Sequence, residues 1–281
     1  MKLKDFKVKS IDPKEISTRE LHAYLLSSIA PRPIAFASTV DSQGHVNVSP
    51  FSFFNVFGAN PPIVIFSPAR RVRDNTIKHT LENIKETKEC VINIVTEEIV
   101  HQVSLASTEY DRDVNEFIKA GLTPVKSDLV SAPRCLESKV SLECKVNDII
   151  ETGTEGGAAN LVICEVIKIH IHEEVLDENG RISTEKMMLV ARMGESWYCR
   201  AYGDALFQIP KPLRSKGVGF DNLPLEILHS EILSGNDLAQ LANVEKIPQG
   251  TYTLDVQEHA RAKQLLHQGN LKEAWETLII D

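Results

Sequence analysis

A short basic stretch is the part of this sequence whose residue types and spacing most directly suggest chemistry. Arg70, Arg71 and Arg73 come directly before residues 74–88, whose apolar residues recur at the spacing of one helical face. Lys78 falls in the first turn of this predicted helix. Positive side chains at a helix N-terminus oppose the helix dipole, at a cost of about 0.3–1 kcal/mol each when they are exposed. An anion bound between them would reverse that cost.

Hydroxyl groups add to the anion-binding character of this stretch. Thr76 and Thr80 are one helical turn apart, and the first turn of any helix has backbone N–H groups without partners inside the helix. Guanidinium groups, hydroxyls and free N–H groups together are typical of a phosphate site. The alternative is a solvated loop in which the arginines pair with surface carboxylates. The sequence leaves both interpretations open.

The segment upstream, residues 47–54, mixes small polar side chains with aromatic ones. Pro50 has no N–H to donate, so we predict that strand pairing breaks there and leaves the backbone amides near Phe51 and Ser52 free. Such a mixture suits the edge of a polar heteroaromatic ring. The alternative is a strand ended by proline whose phenylalanines belong to the core. The polar residues are Asn47, Ser49 and Ser52, and the aromatic ones are Phe51, Phe53 and Phe54.

A ring site and a phosphate site separated by one apolar segment, residues 62–66, indicate a nucleotide-like cofactor. Strand-forming segments dominate the chain that must position these sites. Residues 34–40 and the turn at 41–44 predict a hairpin, and residues 90–95 repeat the apolar character of a central strand. The helix at 74–88 lies between two buried strands. This pattern favours a mainly β fold, a closed antiparallel barrel with peripheral helices, over a parallel doubly wound sheet.

The composition changes near residues 209–213, where two prolines are followed by a glycine-containing loop. Within the remaining chain, residues 255–280 predict a helix pair that is interrupted at Gly269. Asn270 is the predicted cap of the second helix. The predicted domains are a barrel domain at 1–209 and a C-terminal loop and helix extension at 210–281.

The overall composition argues against several classes of function. The 281 residues carry a formal net charge of −8, which argues against a general nucleic-acid or anionic membrane surface. No apolar run approaches the length of a membrane-spanning helix, and the lysine-bearing N-terminus lacks the apolar core of a secretory signal. Five cysteines without a C-x-x-C pair predict buried free thiols in a reducing cytoplasm.

Other candidate motifs give weaker signals. His170 and His172 share one face of an alternating strand at 166–172, and the isoleucines on the opposite face are predicted to be core. No third ligand is evident nearby, so we predict no metal site. Residues 152–160 are rich in glycine but lack the strand-to-helix setting of a phosphate loop, and they predict a turn. The sequence has no motif typical of hydrolases or of dinucleotide-binding folds.

Four stretches of the sequence occur in an order and spacing that a known family shares. They are "SSIAPRPIAFASTVDSQGHVNVSPFSFFN", "PPIVIFSP", "KHTLENIKETKECVINIV" and "ARMGESWYCRAYG". Together they cover about residues 20–205 and resemble the flavin reductase-like proteins with the FMN-binding split barrel, which include the flavoredoxins. The resemblance implies a six-stranded Greek-key split barrel, a homodimer, and flavin mononucleotide (FMN) bound near the subunit interface.

The resemblance also implies roles for individual residues. Asn47, Ser49 and Ser52 correspond to contacts with the flavin ring and its ribityl chain, and Phe53 to an aromatic side chain beside the ring. The implied phosphate contacts are Ser67, Lys78, Thr80 and one of the preceding arginines.

Two positions in the phosphate segment need a choice. We predict that Arg73 is the arginine that meets the phosphate, because it is nearest the expected helix start. His79 stands where the family commonly has an aspartate. The late family segment that approaches the flavin corresponds here to Arg192, Gly194 and Tyr198.

The function implied by the resemblance is an FMN-dependent oxidoreductase that receives electrons from a reduced nicotinamide or a protein donor. The cofactor performs the redox chemistry in such sites, so no catalytic side chain is predicted. A second hypothesis is an FMN-binding electron carrier without turnover of its own. A third is that the barrel holds another ligand, such as haem or a pyridoxal-type phosphate.

Overall fold

Two compact units make up the part of the chain that the computed structural model describes, residues 7–210 and 216–280. The larger unit is Lys9–Phe207, and the smaller one contains residues 7–8 and the chain from Gln208 onward. The division falls two residues before the predicted domain boundary. Most of the predicted linker at 209–213 lies outside the described residues. Residues 1–6 of the N-terminal segment, for which no secretory signal was predicted, also lie outside them.

An antiparallel sheet of seven strands is the centre of the larger unit. The strands of this unit are β1 (Ala35–Val40), β2 (Val46–Phe51), β3 (Phe54–Ala59), β4 (Pro62–Phe66), β5 (Glu89–Ile94), β6 (Pro124–Val125), β7 (Arg134–Cys135), β8 (Val140–Glu151), β9 (Asn160–Ile171), β10 (Val190–Arg192) and β11 (Tyr198–Arg200). The sheet has the hydrogen-bonded order β2-β1-β5-β8-β9-β4-β3, and β6–β7 and β10–β11 form two short ribbons. The prediction of a mainly β, antiparallel fold is confirmed.

Short helices connect the strands of this unit. The first begins at a capping box, in which the Ser17 hydroxyl accepts from the backbone N–H of Glu20 and the Glu20 carboxylate accepts from that of Ser17. The helices are α1 (Thr18–Ser28), α2 (His79–Thr87), α3 (Val100–Leu105), α4 (Glu116–Ala120) and α5 (Thr184–Met187). None of the residues of α1 is buried, whereas α2 buries Leu81 and Ile84.

The link between β2 and β3 forces the sheet to curve. These strands are the two edges of the sheet, yet only residues 52 and 53 join them. In a flat sheet six strand spacings would separate the edges by about 29 Å, whereas a link of this length spans about 10 Å. The sheet therefore curls into a barrel that is open along one seam. The resemblance implied six strands, whereas the sheet has seven.

Pro50 does not interrupt the pairing of β2, so the predicted break there is wrong. Pro50 lies opposite Phe36 of β1, and the pairing continues to Phe51 opposite Ala35. β2 is an edge strand, and alternate N–H groups of an edge strand point away from its only neighbour. A proline can occupy such a position without the loss of a bond within the sheet.

The helix predicted at 74–88 begins later than its apolar spacing indicated. α2 starts at His79, and Asn75 has the left-handed backbone conformation, with φ of 58°. The reason is local: the Asp74 carboxylate accepts hydrogen bonds from the N–H and the hydroxyl of Thr76, at 3.1 and 2.6 Å. Such a side-chain turn competes with helical backbone bonding. The arginines therefore belong to a loop and not to a helix start.

Two apolar clusters fill the larger unit. In the first, Leu81 and Ile84 of α2 face the sheet, as their spacing predicts. In the second, Phe117 of α4 packs with Phe36 and Val48 of β1 and β2. Fully burying one such side chain stabilises a fold by about 1.5–3 kcal/mol, so both helices are fixed to the sheet. The five cysteines are free thiols, as predicted, and four of them are buried.

The two faces of strand β9 are not buried and exposed as the sequence predicted. Ile169 and Ile171 are 55% and 38% exposed, although the alternating pattern placed them in the core. His170, on the opposite face, is half-buried, and its ring lies 2.6 Å from the buried carboxylate of Glu143. The connection between β6 and β7 covers this face, because its backbone donates two hydrogen bonds to Glu143. Tertiary packing thus decides which face is covered.

The smaller unit has an apolar core of its own. Its elements are α6 (Leu225–Leu228), α7 (Gly235–Ala242), α8 (Val256–His267), α9 (Leu271–Thr277) and the strands β12 (Thr251–Tyr252) and β13 (Ile279–Ile280). The predicted helix pair corresponds to α8 and α9, which are separated at Gly269, with φ of 81°. Asn270 is the N-cap residue of α9, as predicted, although its side chain makes no capping hydrogen bond. Leu241, Leu266 and Trp275 bring α7, α8 and α9 together.

Among the described residues, no helix is long and apolar enough to cross a bilayer.

Candidate functional site

One pocket of the larger unit lies at the N-terminus of α2. Its walls come from β2, from the loop before α2 and from the chain between α3 and α4. The enclosed space is about 20 Å³, which is room for about one water molecule. The lining residues are Asn47, Ser49, Arg71, Lys78, His79, Thr80, Ser107, Thr108, Glu109, Tyr110 and Glu116.

Arg71 reaches into this pocket with a side chain that is 18% exposed. Its guanidinium donates to the hydroxyl of Thr76 at 2.8 Å and to the carbonyl of Ile77 at 2.6 Å. It also pairs with the Glu109 carboxylate at 2.9 Å. Glu109 therefore occupies the position that an external anion facing Arg71 would take.

The glycine-rich turn at 152–160 supports the loop that carries Arg71. The N–H of Arg70 donates to the carbonyl of Ala158 at 2.9 Å, and the N–H of Gly157 donates to the carbonyl of Arg70 at 3.0 Å. A Cβ atom on Gly156 would lie 2.9 Å from the Arg71 carbonyl oxygen, closer than real Cβ contacts come. The segment is a turn, as predicted, and its glycine permits the close approach of the two backbones.

Lys78 is a half-buried cation that forms no close ion pair with a carboxylate of the described chain, although the charge of Glu109 acts on it and opposes the lowering of its pKa. Burial lowers the pKa of its ammonium group from the usual value, and the charge of Arg71 lowers it further. Lys78 also caps α2, whose first backbone N–H groups have no partner inside the helix. An ammonium group, a guanidinium group and free N–H groups are the donors of an anion site.

Arg73 does not join this pocket. Its side chain is 74% exposed and pairs with Asp74 at 3.0 Å and with Glu109 at 2.7 Å. It was predicted to meet the phosphate because it is nearest the helix start, but the helix begins only at His79. The alternative interpretation, of arginines paired with surface carboxylates, describes Arg73. Arg71 is the arginine that faces the pocket.

A buried chain of hydrogen bonds fixes the amide of Asn47. The hydroxyl of Thr80 donates to the Asn47 side-chain oxygen at 2.7 Å, and the Asn47 nitrogen donates to Glu116 at 2.7 Å. The Glu116 carboxylate also accepts from the backbone N–H of Val48 at 3.1 Å. Burial raises the pKa of Glu116 above its usual value. The amide of Asn47 therefore has one orientation, set by partners on α2 and α4.

The ring-side residues of the sequence prediction lie around the link between β2 and β3. Ser49 is buried and lines the pocket, whereas Ser52 is half-buried and its hydroxyl is 3.5 Å from Arg32 Nε. The Phe53 ring is 39% exposed and meets the His22 ring edge-on, with 6.3 Å between the ring centres. An exposed aromatic face and nearby hydroxyls can contact a polar ring.

Ser67 follows β4 and connects this region to β9. Its hydroxyl accepts from the backbone N–H of Asn160 at 3.1 Å, and its own N–H donates to the carbonyl of Phe53 at 2.9 Å. The side-chain oxygen of Asn160 is buried and has no partner among the described residues. Asn160 is thus a free acceptor that the sequence analysis did not identify.

Four of the eight predicted cofactor-binding residues meet in the pocket, and four do not line it. The first group is Asn47, Ser49, Lys78 and Thr80, and the second is Ser52, Phe53, Ser67 and Arg73. Residues 107–116 supply Glu109 and Glu116, which the sequence did not indicate as site residues. The sequence of residues 97–120 is typical of short helices, and only the packing of α4 against β2 brings Glu116 to the site.

A possible metal-binding cluster lies elsewhere in the larger unit. One ligand atom each of Asp128, Glu143 and His170 lie within 4.8 Å of one another, so two carboxylates that the sequence did not indicate lie beside His170, and His172 is not part of this cluster. The ammonium group of Lys168 pairs with Asp128. Both oxygens of Glu143 already accept hydrogen bonds from the chain. The cluster thus has its own cation, and we assign it a structural role.

The sequence of this chain matches a known protein family. Residues 27–192, more than half of the chain, match the model of the flavin reductase-like domain. The chain belongs to the flavin reductase-like family. The matched segment lies wholly within Lys9–Phe207. An uncharacterized protein of Aquifex aeolicus is 37% identical over 196 residues, which are 70% of this chain and 97% of that protein.

Two solved structures share the fold of the larger part of this chain. Nitrilotriacetate monooxygenase component B from Bacillus cereus aligns with a TM-score of 0.68 at 29% identity, over 73% of this chain and 100% of its own. The 2-nitrobenzoate 2-nitroreductase of Pseudomonas fluorescens aligns with a TM-score of 0.64 at 26% identity, over 74% of this chain and 100% of its own. The predicted resemblance to this family is confirmed.

The buried hydrogen bond between Thr80 and Asn47 provides a test of the site's rigidity. Thr80→Val keeps the shape of the side chain but leaves the Asn47 oxygen without its donor. We expect the free energy of unfolding to fall by about 1–3 kcal/mol, as measured by urea denaturation. Thr87→Val, on the same helix and partly exposed, is the control and should change it by less than about 0.5 kcal/mol. Equal values for the two variants would show that the Asn47 amide is not held in this way.

Proposed function

We propose that the protein is an FMN-binding oxidoreductase of the flavin reductase type. The observation that carries this proposal is the unpaired ammonium group of Lys78 beside Arg71, at a helix N-terminus in a flavin reductase-like fold. The phosphate of FMN would supply the missing counter-charge. Two relatives of the same fold are named as a monooxygenase component and a nitroreductase, which supports the oxidoreductase class.

The phosphate end of the cofactor would lie against the start of α2. Lys78, Arg71 and the first N–H groups of α2 supply positive charge and donors there. The pocket is too small for a phosphate while Glu109 is paired with Arg71, so Glu109 has to move aside. A phosphate monoester carries about −1.5 to −2 charges at neutral pH, against −1 for Glu109, so it competes well for the guanidinium.

The other end of the cofactor would lie toward the link between β2 and β3. The fixed amide of Asn47 and the hydroxyl of Ser49 face the pocket and can bond to the ribityl chain or the ring edge. Ser52 and Phe53 would contact the ring.

Bound FMN supplies the transfer of hydride or electrons in this proposal, with a reduced nicotinamide or a protein as donor. The side chains of this chain bind the cofactor, orient its ring and keep water from one side of it. No side chain has to donate or accept a proton for this role. The five free thiols fit a protein of the reducing cytoplasm.

The proposed function is tested by the absorbance of the purified protein. We expect the flavin spectrum, with FMN released by heat, and bleaching of the flavin band when NADH or NADPH is added without oxygen. A flavin band that stays yellow with both donors would favour the electron carrier. The spectrum of haem or of a pyridoxal compound, or no bound chromophore after incubation with FMN, would contradict the proposal.

The choice between Arg71 and Arg73 is tested by FMN affinity. Arg71→Ala removes a charge-assisted contact to the phosphate, so the Kd of FMN should rise about 10- to 100-fold, as measured by quenching of flavin fluorescence. Arg73→Ala, on the same loop but exposed, is the matched control and should change it by less than about threefold. A larger effect at Arg73 than at Arg71 would restore the sequence-based choice.

We also propose that the protein is a homodimer that associates through β3. β3 is an edge strand, so its outer backbone groups have no strand partner in the described chain. Val56 and Phe57 on this strand are 67% and 65% exposed. A second copy would cover these apolar side chains, and the adjacent link at residues 52–53 would then lie close to the subunit interface.

Association through β3 is tested by placing a charge on it. Phe57→Glu should shift the protein from dimer to monomer in analytical ultracentrifugation, because a carboxylate would be buried without a partner. Ile118→Glu, at a 75% exposed position on α4, should leave the dimer intact. A wild-type protein that is monomeric at micromolar concentration, or a dimer unaffected by Phe57→Glu, would exclude this interface.

A further inference from the structure

Two arginines of the larger unit oppose each other without a carboxylate beside them. Arg32 and Arg192 form a β-bridge and exchange both backbone hydrogen bonds, at 3.0 and 2.9 Å. Residues opposed in this way have side chains on the same face, and like charges there are destabilising. In residues 7–210 and 216–280, no carboxylate forms an ion pair with either guanidinium. The pair therefore keeps two positive charges together.

Arg32 is held rigidly by carbonyl groups. It is 6% exposed, and its Nη1 donates to the carbonyls of Leu26 and Ile29 at 2.6 and 2.7 Å. These carbonyls are at the C-terminal end of α1, where the helix dipole is negative. Its Nη2 donates to the carbonyl of Met193 at 2.8 Å, on the segment that follows β10. The dipoles of these carbonyl groups offset part of the charge of Arg32, whereas the charge of Arg192 stays unbalanced.

The guanidinium of Arg192 has N–H groups that are not hydrogen-bonded within the described chain. Its Nη1 donates to the carbonyl of Trp197 at 3.2 Å, and the guanidinium lies 4.8 Å from the centre of the Tyr198 ring. Its Nε and Nη2 have no partner among the described residues, and the side chain is only half-buried. The turn after it packs tightly on α1, because a Cβ on Gly194 would lie 2.6 Å from the hydroxyl of Ser27. The guanidinium is thus fixed in place with free N–H groups.

We propose that Arg192, supported by Arg32, binds a phosphate group of a nucleotide substrate. A guanidinium matches two phosphate oxygens with two parallel N–H groups, and a second guanidinium behind it adds positive potential. Arg32 Nε lies 3.5 Å from the hydroxyl of Ser52, which is proposed to contact the flavin ring, and neither arginine lines the pocket at the start of α2. The phosphate bound here therefore belongs to a second molecule and not to the cofactor.

The identity of that second molecule rests on the proposed function. A reduced nicotinamide dinucleotide carries a pyrophosphate, with two negative charges that match the two guanidinium groups. Its pyrophosphate on Arg192 would bring the nicotinamide toward Ser52 and Phe53. Arg192 is then a binding residue for the electron donor, and it takes no part in the transfer itself.

The proposal is tested by calorimetric titration of the purified full-length protein with ADP-ribose, in a low-salt buffer free of phosphate. ADP-ribose contains the pyrophosphate but no nicotinamide, so its binding does not depend on electron transfer. We expect Arg192→Gln to raise the Kd at least about 10-fold. Arg192→Lys keeps the charge but loses the fork of the guanidinium, so we expect an intermediate Kd. This variant also serves if Arg192→Gln does not fold by circular dichroism.

The matched control is Arg200→Gln. Arg200 is on the same two-stranded ribbon and is exposed, and its charge is already paired with Glu97 at 2.7 Å. This variant removes the same charge, so we expect the Kd of ADP-ribose to stay within about twofold of the wild-type value. An equal loss in both variants, no binding to the wild-type protein, or binding unaffected by Arg192→Gln would overturn the proposal.

The same experiment distinguishes a carboxylate ligand from a phosphate ligand. It also distinguishes failure of the phosphate site from failure of the proposed function. Benzoate serves as the carboxylate probe, and Arg192-dependent binding of benzoate but not of ADP-ribose would overturn the assignment to phosphate. The flavin content of each preparation is read from its absorbance. Arg192-dependent binding of ADP-ribose to a preparation that binds no flavin would support the phosphate site while contradicting the proposed function. Flavin binding without any Arg192-dependent binding of ADP-ribose would contradict the phosphate site alone.

Discussion

The link of two residues between β2 and β3 is the constraint on which the rest of the structure depends. Ser52 and Phe53 must join the two edges of a seven-stranded sheet, so the sheet has to curl until those edges approach. The backbone bond from Ser67 to Phe53 then fastens the link to the end of β4. Because strand pairing stops at this seam, hydroxyl and aromatic side chains remain open there. For this reason we propose that the cofactor lies along the seam.

The charges at the site are informative because the chain as a whole is acidic. With 39 acidic and 31 basic residues, the protein has enough carboxylates to pair every cation. Arg71, Arg73 and Arg200 are indeed paired with glutamates. Lys78 and Arg192 have no such partner in the described chain, although each is half-buried. Unpaired cations in these positions cost stability, and a ligand that supplies negative charge removes that cost.

The parts of the fold that depend on neighbours in the chain could be predicted from the sequence. The apolar spacing of Leu81 and Ile84 indicated the buried face of α2, and the alternation of β1 indicated a strand. The same local signals failed where a side chain or a neighbour acted against them. Asp74 bonds to Thr76 and delays the start of α2, and Pro50 is tolerated because β2 has only one neighbour. The choice of Arg73 as the phosphate contact rested on the expected helix start.

The sequence by itself determined that the chain is mainly β, that it belongs with the flavin reductase-like proteins, and that a basic segment follows a polar and aromatic one. These are properties of periodicity and of residue order along the chain. The tertiary structure decided which of those residues meet. Glu116 reaches Asn47, Glu109 reaches Arg71, and Arg32 opposes Arg192 only because the curled sheet brings distant segments together. The strength of a contact between charges depends on distance and burial, and neither quantity exists until the chain is folded.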